Sequence, residues 1–405
     1  QISLEETSIL INKATFLRES LAQKYPSKVE DQCALANNYS LLSEVYFRQG
    51  DITSKYTTLK KAYEILKKVS SDRSNPEIDN NIANIQLRMA DMLMFTFGDT
   101  IKNKINRPDL AEKFYEQALN LHQLEKEQSE VLTKLDPNNA KLRRSFAGKL
   151  YDVAWALAKL GQFEKALENA NQAEQIFKQL SLVDPINLTP NHDLITVKAL
   201  KGYIFLQLKN YTQAIVEYSQ ALAINEKIKN DSLNASYVNN LIRFNADIAE
   251  ALLLMGKAWQ ALKYFDMTIE LIEKHTFSYK ENLPPKNRTF SKLIKLSGST
   301  DKNIKLEADL RIKRLINFWK KDFYKSKPTI TELKEFSWIL FISNELEQAK
   351  ELSKKAVKLS KEKDIEALNT FGLILEKLGF KEESLSYKQK VISLLDKLTS
   401  EISIS

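Results

Sequence analysis

The chain has 405 residues, 43% apolar and 28% charged, with a formal net charge of +8. Nine glycines and nine prolines, with 9% aromatic residues, exclude a disordered or collagen-like chain and favour long helices. A single cysteine, Cys33, excludes an internal disulfide framework and fits a reducing, cytoplasmic compartment, and no stretch has the apolar length of a membrane span.

The opening residues, Gln1 to Glu6, form no signal peptide, and the chain starts inside helical sequence without a methionine. An excised fragment with upstream domains is therefore expected. Residues 1–30, with Leu17 to Tyr25 ahead of Pro26, read as a half-repeat, the second helix of a preceding pair. Residues 31–275 read as five helix pairs. Their signature is two alanines, or close substitutes, seven residues apart just beyond a tight turn: Ala111/Ala118, Ala166/Ala173, Ala214/Ala221 and Ala261/Thr268, then Ala349/Ala356 farther on. Lys55/Ala62 and Ser384/Val391 keep only the register. Repetition at tens of residues predicts a stacked array.

The clearest unit runs from Ala154 to Ala166. Gly161 can take the left-handed conformation that ends a helix, and Phe163 starts the next one. First helices carry a small residue at Ser43, Ala154, Gly202, Ala249, Ser337 or Gly372, and turn glycines recur at Gly50, Gly98, Gly161, Gly256 and Gly379. The second pair has an insertion, 99–107, in its turn before Pro108 opens a helix. All nine prolines fall at predicted junctions. Second-helix anchors lie 56, 55, 48, 47, 88 and 35 residues apart, so several second helices are elongated, such as 162–181. The gap of 88 contains residues 276–328, with 14 Lys and Arg against 5 Asp and Glu. The rest of the chain is therefore near neutral. A short helix over 288–297 and a basic amphipathic helix over 303–327 are predicted there, the latter with Leu306, Leu310, Leu315, Phe318 and Trp319 apolar. That stretch is either a basic irregular insert or a degenerate repeat. Residues 329–405 complete the array as pairs six and seven with a C-terminal tail.

The pattern resembles the tetratricopeptide repeat family, on Leu42, Ser43 and Tyr46 with Gly50 and Ala62, on the Gly161 unit, and on Gly202 with Tyr211, Ala214 and Ala221. The loop from Leu135 to Asn139 and the run Ala140 to Arg144 look like the extended regions of this kind in bacterial signalling proteins. The resemblance implies an all-α, right-handed solenoid of about seven helix pairs. It also implies a non-catalytic scaffold or sensor module that binds a protein or peptide on its concave face. A regulatory region of a larger signalling enzyme is an alternative, with another domain of the same protein as partner.

Nothing in the sequence points to catalysis or a cofactor. There is no phosphate loop, no GxGxxG turn and no HExxH pair. His122, His192 and His275 lie in unrelated segments, so no metal site is expected and surface or loop-edge positions are. Pairs such as Glu164 and Glu168 beside Lys165 read as a solvated helix face. Carried over by register, the resemblance puts Tyr151, Trp155 and Lys159, then Ala199, Tyr203 and Gln207, then Arg243, Ala246 and Glu250 in the groove. Tyr151, Trp155 and Tyr203 would suit an extended or helical peptide, and Lys159 and Arg243 its acidic groups. Equally, Trp155 and Tyr203 could pack against neighbouring helices. Trp338, Phe341 and Ile342 are expected in the core, and Trp259 is expected to brace a turn. The three-helix carboxylate clamp of some family members is absent, since its places hold Ser40 and Glu44, Tyr151 and Trp155, and Ala199 and Tyr203. A competing use of the basic helix is nucleic-acid binding, with Lys313, Arg314, Lys320 and Lys321 on phosphates and Trp319 and Tyr324 stacking on bases.

Overall fold

The computed structural model describes residues 4–72, 76–228, 235–275, 284–323 and 328–402. Tyr324 and the end of the predicted basic helix lie outside them. Helices alone make up the regular structure of the described residues. In chain order they are α1 (Leu4–Lys24), α2 (Val29–Arg48), α3 (Ile52–Asp72), α4 (Pro76–Asp91), α5 (Pro108–Leu135), α6 (Ala140–Lys159), α7 (Phe163–Val183), α8 (Thr189–Gln207) and α9 (Tyr211–Lys227). There follow α10 (Ala235–Leu254), α11 (Ala258–Lys274), α12 (Pro284–Ser297), α13 (Lys302–Phe323), α14 (Ile330–Ile342), α15 (Leu346–Leu359), α16 (Ile365–Lys377) and α17 (Lys381–Ile402). They sort into two compact units, residues 1–125 with 329–405, and residues 126–328.

One turn design makes the hairpins. Gly50, Gly161, Gly256 and Gly379 have φ of 73°, 75°, 75° and 91°, a region that costs a residue with a Cβ but not glycine. Lys209 and Asn344 take the same conformation, at φ 59° and 66°, in the two turns that lack glycine. In all six turns the next amide reaches back over the helix end: Asp51 to Tyr46, Gln162 to Leu157, Asn210 to Phe205, Lys257 to Leu252, Glu345 to Leu340 and Phe380 to Leu375. This bond absorbs a carbonyl that the helix end would otherwise leave unmade. The hairpins close through the small residues: Ser43, Ala154, Ala249 and Ser337 on first helices, and Ala62, Ala118, Ala173, Ala221 and Ala356 on second helices, are all fully buried.

The turn expected at Gly98 does not form there. The chain stays helical beyond α4 through two π-helical stretches, Met92–Gly98 and Ile101–Ile105. It reverses at Asn106, with φ 61°. Gly98 serves packing instead: a Cβ on it would lie 2.4 Å from Cε1 of Tyr115, so glycine is what lets the α5 ring approach. The wider π turn accommodates the extra residues without breaking the helix.

Residues 284–323 form a helix pair, α12 with α13, packed on α10 and α11. Ile304, Ala308, Ile312, Leu315, Ile316, Trp319 and Phe323 make the buried stripe of α13, while Leu306 and Leu310 are exposed. The apolar face is thus rotated from the expected one, with only Leu315 and Trp319 shared and Phe318 half-buried. No described helix is long and apolar enough to cross a membrane.

Candidate functional site

The expected groove residues of α6 and α8 meet. Tyr151, Trp155 and Lys159 are spaced one turn apart on α6, so they share a face. The Trp155 Nε1 donates to the Tyr151 hydroxyl at 2.7 Å. From α8, Tyr203 brings its ring centroid to 5.1 Å from that of Trp155. The Lys159 ammonium stands 5.5 Å and 5.7 Å from the two ring centroids, within cation–π range. Trp155 is only 7% exposed, so it forms the floor of the cluster. Tyr151, Lys159 and Tyr203 are half-buried and make the accessible rim.

The other residues of that register divide. Gln207 is exposed at the end of α8. Ala199 and Ala246, expected in the groove, are 1% and 0% exposed. An inner first helix is covered on most sides, and α8 packs on α6, α7 and α9. What stays open on α8 is a narrow stripe through Thr196, Tyr203 and Gln207. On α10, Arg243 is half-buried, with its guanidinium 5.6 Å from the Phe244 ring and 3.9 Å from Asp247. Glu250 is ion-paired to Lys292 at 3.0 Å and Lys295 at 3.3 Å. Burial would raise its pKa, but the two ammonium groups outweigh burial and hold it below the usual carboxylate range. Its charge complements α12.

The basic segment is likewise engaged internally. Lys292 reaches Asp247 at 2.5 Å. Arg311 grips Asp266 through two bonds of 2.7 Å and also pairs with Glu307. Arg314 makes a two-pronged pair with Glu273. Trp319, proposed from sequence to stack on bases, is 2% exposed and packs on Phe290 at 5.4 Å between centroids. It is a core residue because the buried stripe of α13 passes through it. Lys313 and Lys321 are exposed and Lys320 is half-buried.

A cluster invisible to the periodicity lies where α7, α8 and α9 meet. Lys198 contacts Glu174 and Glu217, each at 2.8 Å, and Lys201 contacts Glu174 at 2.7 Å and Glu217 at 3.2 Å. All four residues are buried. Burial would push the Glu174 carboxyl up, but hydrogen bonds from Lys178, Lys198 and Lys201 prevail and hold it at about 2. Four charges in alternation satisfy one another, as charges this far from water must. A sequence signal existed: two lysines three residues apart within an apolar helix run.

Three further expectations need correction. His122, expected at the surface, is fully buried on α5, 3.9 Å from Glu125, because the apolar face of that long helix includes its position. Trp259, expected to brace a turn, is 54% exposed; nothing in the structure explains it. Trp338, Phe341 and Ile342 are half-buried and not core. The Trp338 and Phe341 rings lie 5.5 Å apart, with Lys104 over the former and Lys377 over the latter.

Residues 195–228, spanning α8 and α9, match the tetratricopeptide repeat family model. No curated protein matches the chain significantly. Among solved structures, the apo form of RapI is 15% identical, covering 88% of this chain and 99% of its own, with a TM-score of 0.44. BtubC from P. vanneervenii is 15% identical, covering 70% and 98%, with a TM-score of 0.44. Yeast Tom70 is 15% identical, covering 99% and 91%, with a TM-score of 0.37. The matched pair shares its turn bond and buried small residues with the hairpins on either side, so residues 195–228 match one tetratricopeptide repeat within an array of similarly built helix pairs.

Proposed function

We propose that the chain is a non-catalytic scaffold that holds a peptide segment of a partner protein against α6, α8 and α10. One observation carries the reading: two half-buried tyrosines from two first helices and one lysine converge over the Trp155 ring. Rigid rings that are already packed lose little freedom on binding. Their hydroxyls and the ammonium would bind the polar backbone and acidic side chains of a peptide. Tyr203 and Gln207 extend the surface along α8, and Arg243 supplies a second cation. The paired arginines of α13 and the burial of Trp319 count against the nucleic-acid alternative, which keeps Lys313 and Lys321 as its exposed cations.

A displayed library of random peptides tests this. The intact chain should select peptides with an apolar or aromatic anchor and flanking acidic residues. Tyr203→Ala and Lys159→Ala should each lower affinity about tenfold, as truncation of an interface anchor does, with the melting temperature nearly unchanged. Selection of no peptides, or of peptides that bind both variants as well as the parent, would refute the assignment.

A further inference from the structure

In the unit built from residues 1–125 and 329–405, the early and late repeats meet along a seam whose centre is ionic. The Lys104 ammonium, on the second π-helical stretch, pairs with Glu366 at the start of α16. Glu366 also receives Lys334 of α14 at 3.1 Å, and Lys334 binds Asp364 at 2.8 Å. The Asn369 side chain donates to the Lys104 carbonyl at 3.1 Å. Lys363 adds a bond of 2.6 Å to Asp51, and Lys60 donates to the Glu401 carbonyl. Beside these charges is a cavity of about 30 Å3, lined among others by Ile52, Phe97, Ile101 and Ile365 together with Lys334 and Glu366. That is room for a water molecule.

Each side of the seam has packing of its own. Phe97 packs on Tyr56 at 6.0 Å and on Phe114 at 5.8 Å, and the Tyr115 hydroxyl donates to Asp99 at 2.8 Å. Across the seam, Phe371 packs edge-on to Tyr387 at 4.9 Å, and Ser384 donates to the Gly372 carbonyl at 2.9 Å. Helix-repeat stability is chiefly a sum of such neighbour contacts. Polar chemistry at the joint, imperfect packing and π turns on one face, which are frequent at functional sites, converge on one reading.

We propose that this seam is an ion-latched joint: Lys104, Lys334, Asp364 and Glu366 hold the early repeats to the late ones, and the joint parts while both sides stay folded. Parting bares Ile52, Phe97, Ile101 and Ile365, and withdraws the Lys104 ammonium that covers the Trp338 ring at 5.3 Å. The latch therefore governs the exposure of an aromatic and aliphatic face.

Hydrogen exchange on the full chain tests it, at about 0.1 M and about 1 M NaCl, where the screening length falls from about 10 Å to about 3 Å. Amides of 101–105 and 365–369 should exchange at least about fivefold faster at the higher salt, while those of the α2–α3 and α16–α17 hairpin cores hold their rates, as sub-global opening requires. The Lys104→Met/Glu366→Gln pair of substitutions keeps the shapes and removes the charges. It should give fast seam exchange at both salts, with helical content retained. Lys390→Gln, which breaks an exposed pair with Glu362, should change neither. Seam amides that respond to salt only together with the hairpin cores, or not at all, would overturn the latch. So would a double variant that exchanges as slowly as the parent. The parent salt series decides the question even where the double variant fails to fold.

Discussion

Gly202 offers the sharpest test of the packing, because two opposing effects of known size meet there. It lies inside α8, where alanine in place of glycine gains about 1 kcal/mol of helix propensity. A Cβ at that position would be 2.4 Å from Cε1 of Tyr218 and 2.7 Å from its Cδ1 and Cζ. Ordinary contact begins near 3.4 Å, so the ring must retreat by about 1 Å or the helices must part. Tyr218 cannot yield easily: it is 2% exposed, and its ring lies against Phe244 at 6.4 Å between centroids. Overpacking of this kind costs about 1–3 kcal/mol, and the shortness of the contact puts Gly202→Ala at or above the upper end. The clash wins by about 2 kcal/mol, a fall of roughly 4–8 °C in melting temperature for a unit of this size. Gly148 supplies the control in the same unit: it sits within α6 with nothing within 4 Å of its added Cβ. Gly148→Ala should therefore gain up to about 1 kcal/mol. Thermal melts followed by circular dichroism give both signs. Tyr218→Leu should cost less in the Gly202→Ala background than in the parent, since it removes the ring that clashes. A Gly202→Ala chain that melts at or above the parent would refute the close α8–α9 approach.

The buried charge cluster makes two further predictions. Lys198→Ala leaves two buried carboxylates sharing Lys201 as their one buried cation and should cost about 3 kcal/mol in urea unfolding, whereas Lys355→Ala, which breaks an exposed pair with Glu351, should cost no more than about 0.5 kcal/mol. The Glu174 carboxyl has a folded pKa of about 2 against an ordinary 4.5. Its contribution is therefore complete above 4.5 and is lost as pH falls toward 2. The gap in urea midpoint between parent and Glu174→Gln should close over that window; a gap independent of pH would show that the carboxylate is not charged in the fold. Trp319→Ala should cost about 3–5 kcal/mol, as truncation of a core tryptophan does. A loss below about 1 kcal/mol would place the ring outside the core.

What could be read from the sequence was whatever a single hairpin decides for itself. Gly161 ends a helix by its own φ, and Ala166 and Ala173 lie on one face by helical spacing alone, so turn and register were both visible. Gly98 shows the limit. It has the same residue type at the same offset, yet a ring from α5 uses the missing Cβ, and no local rule separates those two uses. Charges were misread for a related reason. Lys165 with Glu164 and Glu168 is solvated as expected, but Lys198 and Lys201 are buried because carboxylates on α7 and α9 neutralise them, and Glu174 on α7 comes from another hairpin. The candidate site was legible as a set of residues and not as a depth profile. Spacing placed Tyr151 and Trp155 together, while the depth of Trp155 depends on how closely α8 brings Tyr203.

The division of the chain into units has a consequence for its synthesis. Residues 126–328 are contiguous, so their unit can fold as it leaves the ribosome. Residues 1–125 belong with residues 329–405, and those emerge only after the intervening unit. At about 5–20 residues per second, the early helices wait on the order of 15–60 s for their late partners. During that delay Ile52, Phe97 and Ile101 stand uncovered, with only Lys104 and the other charges beside them to discourage premature association. Residues 4–125 are thus the part of this unit that most needs a chaperone's attention, and α14 to α17 are the helices that release it.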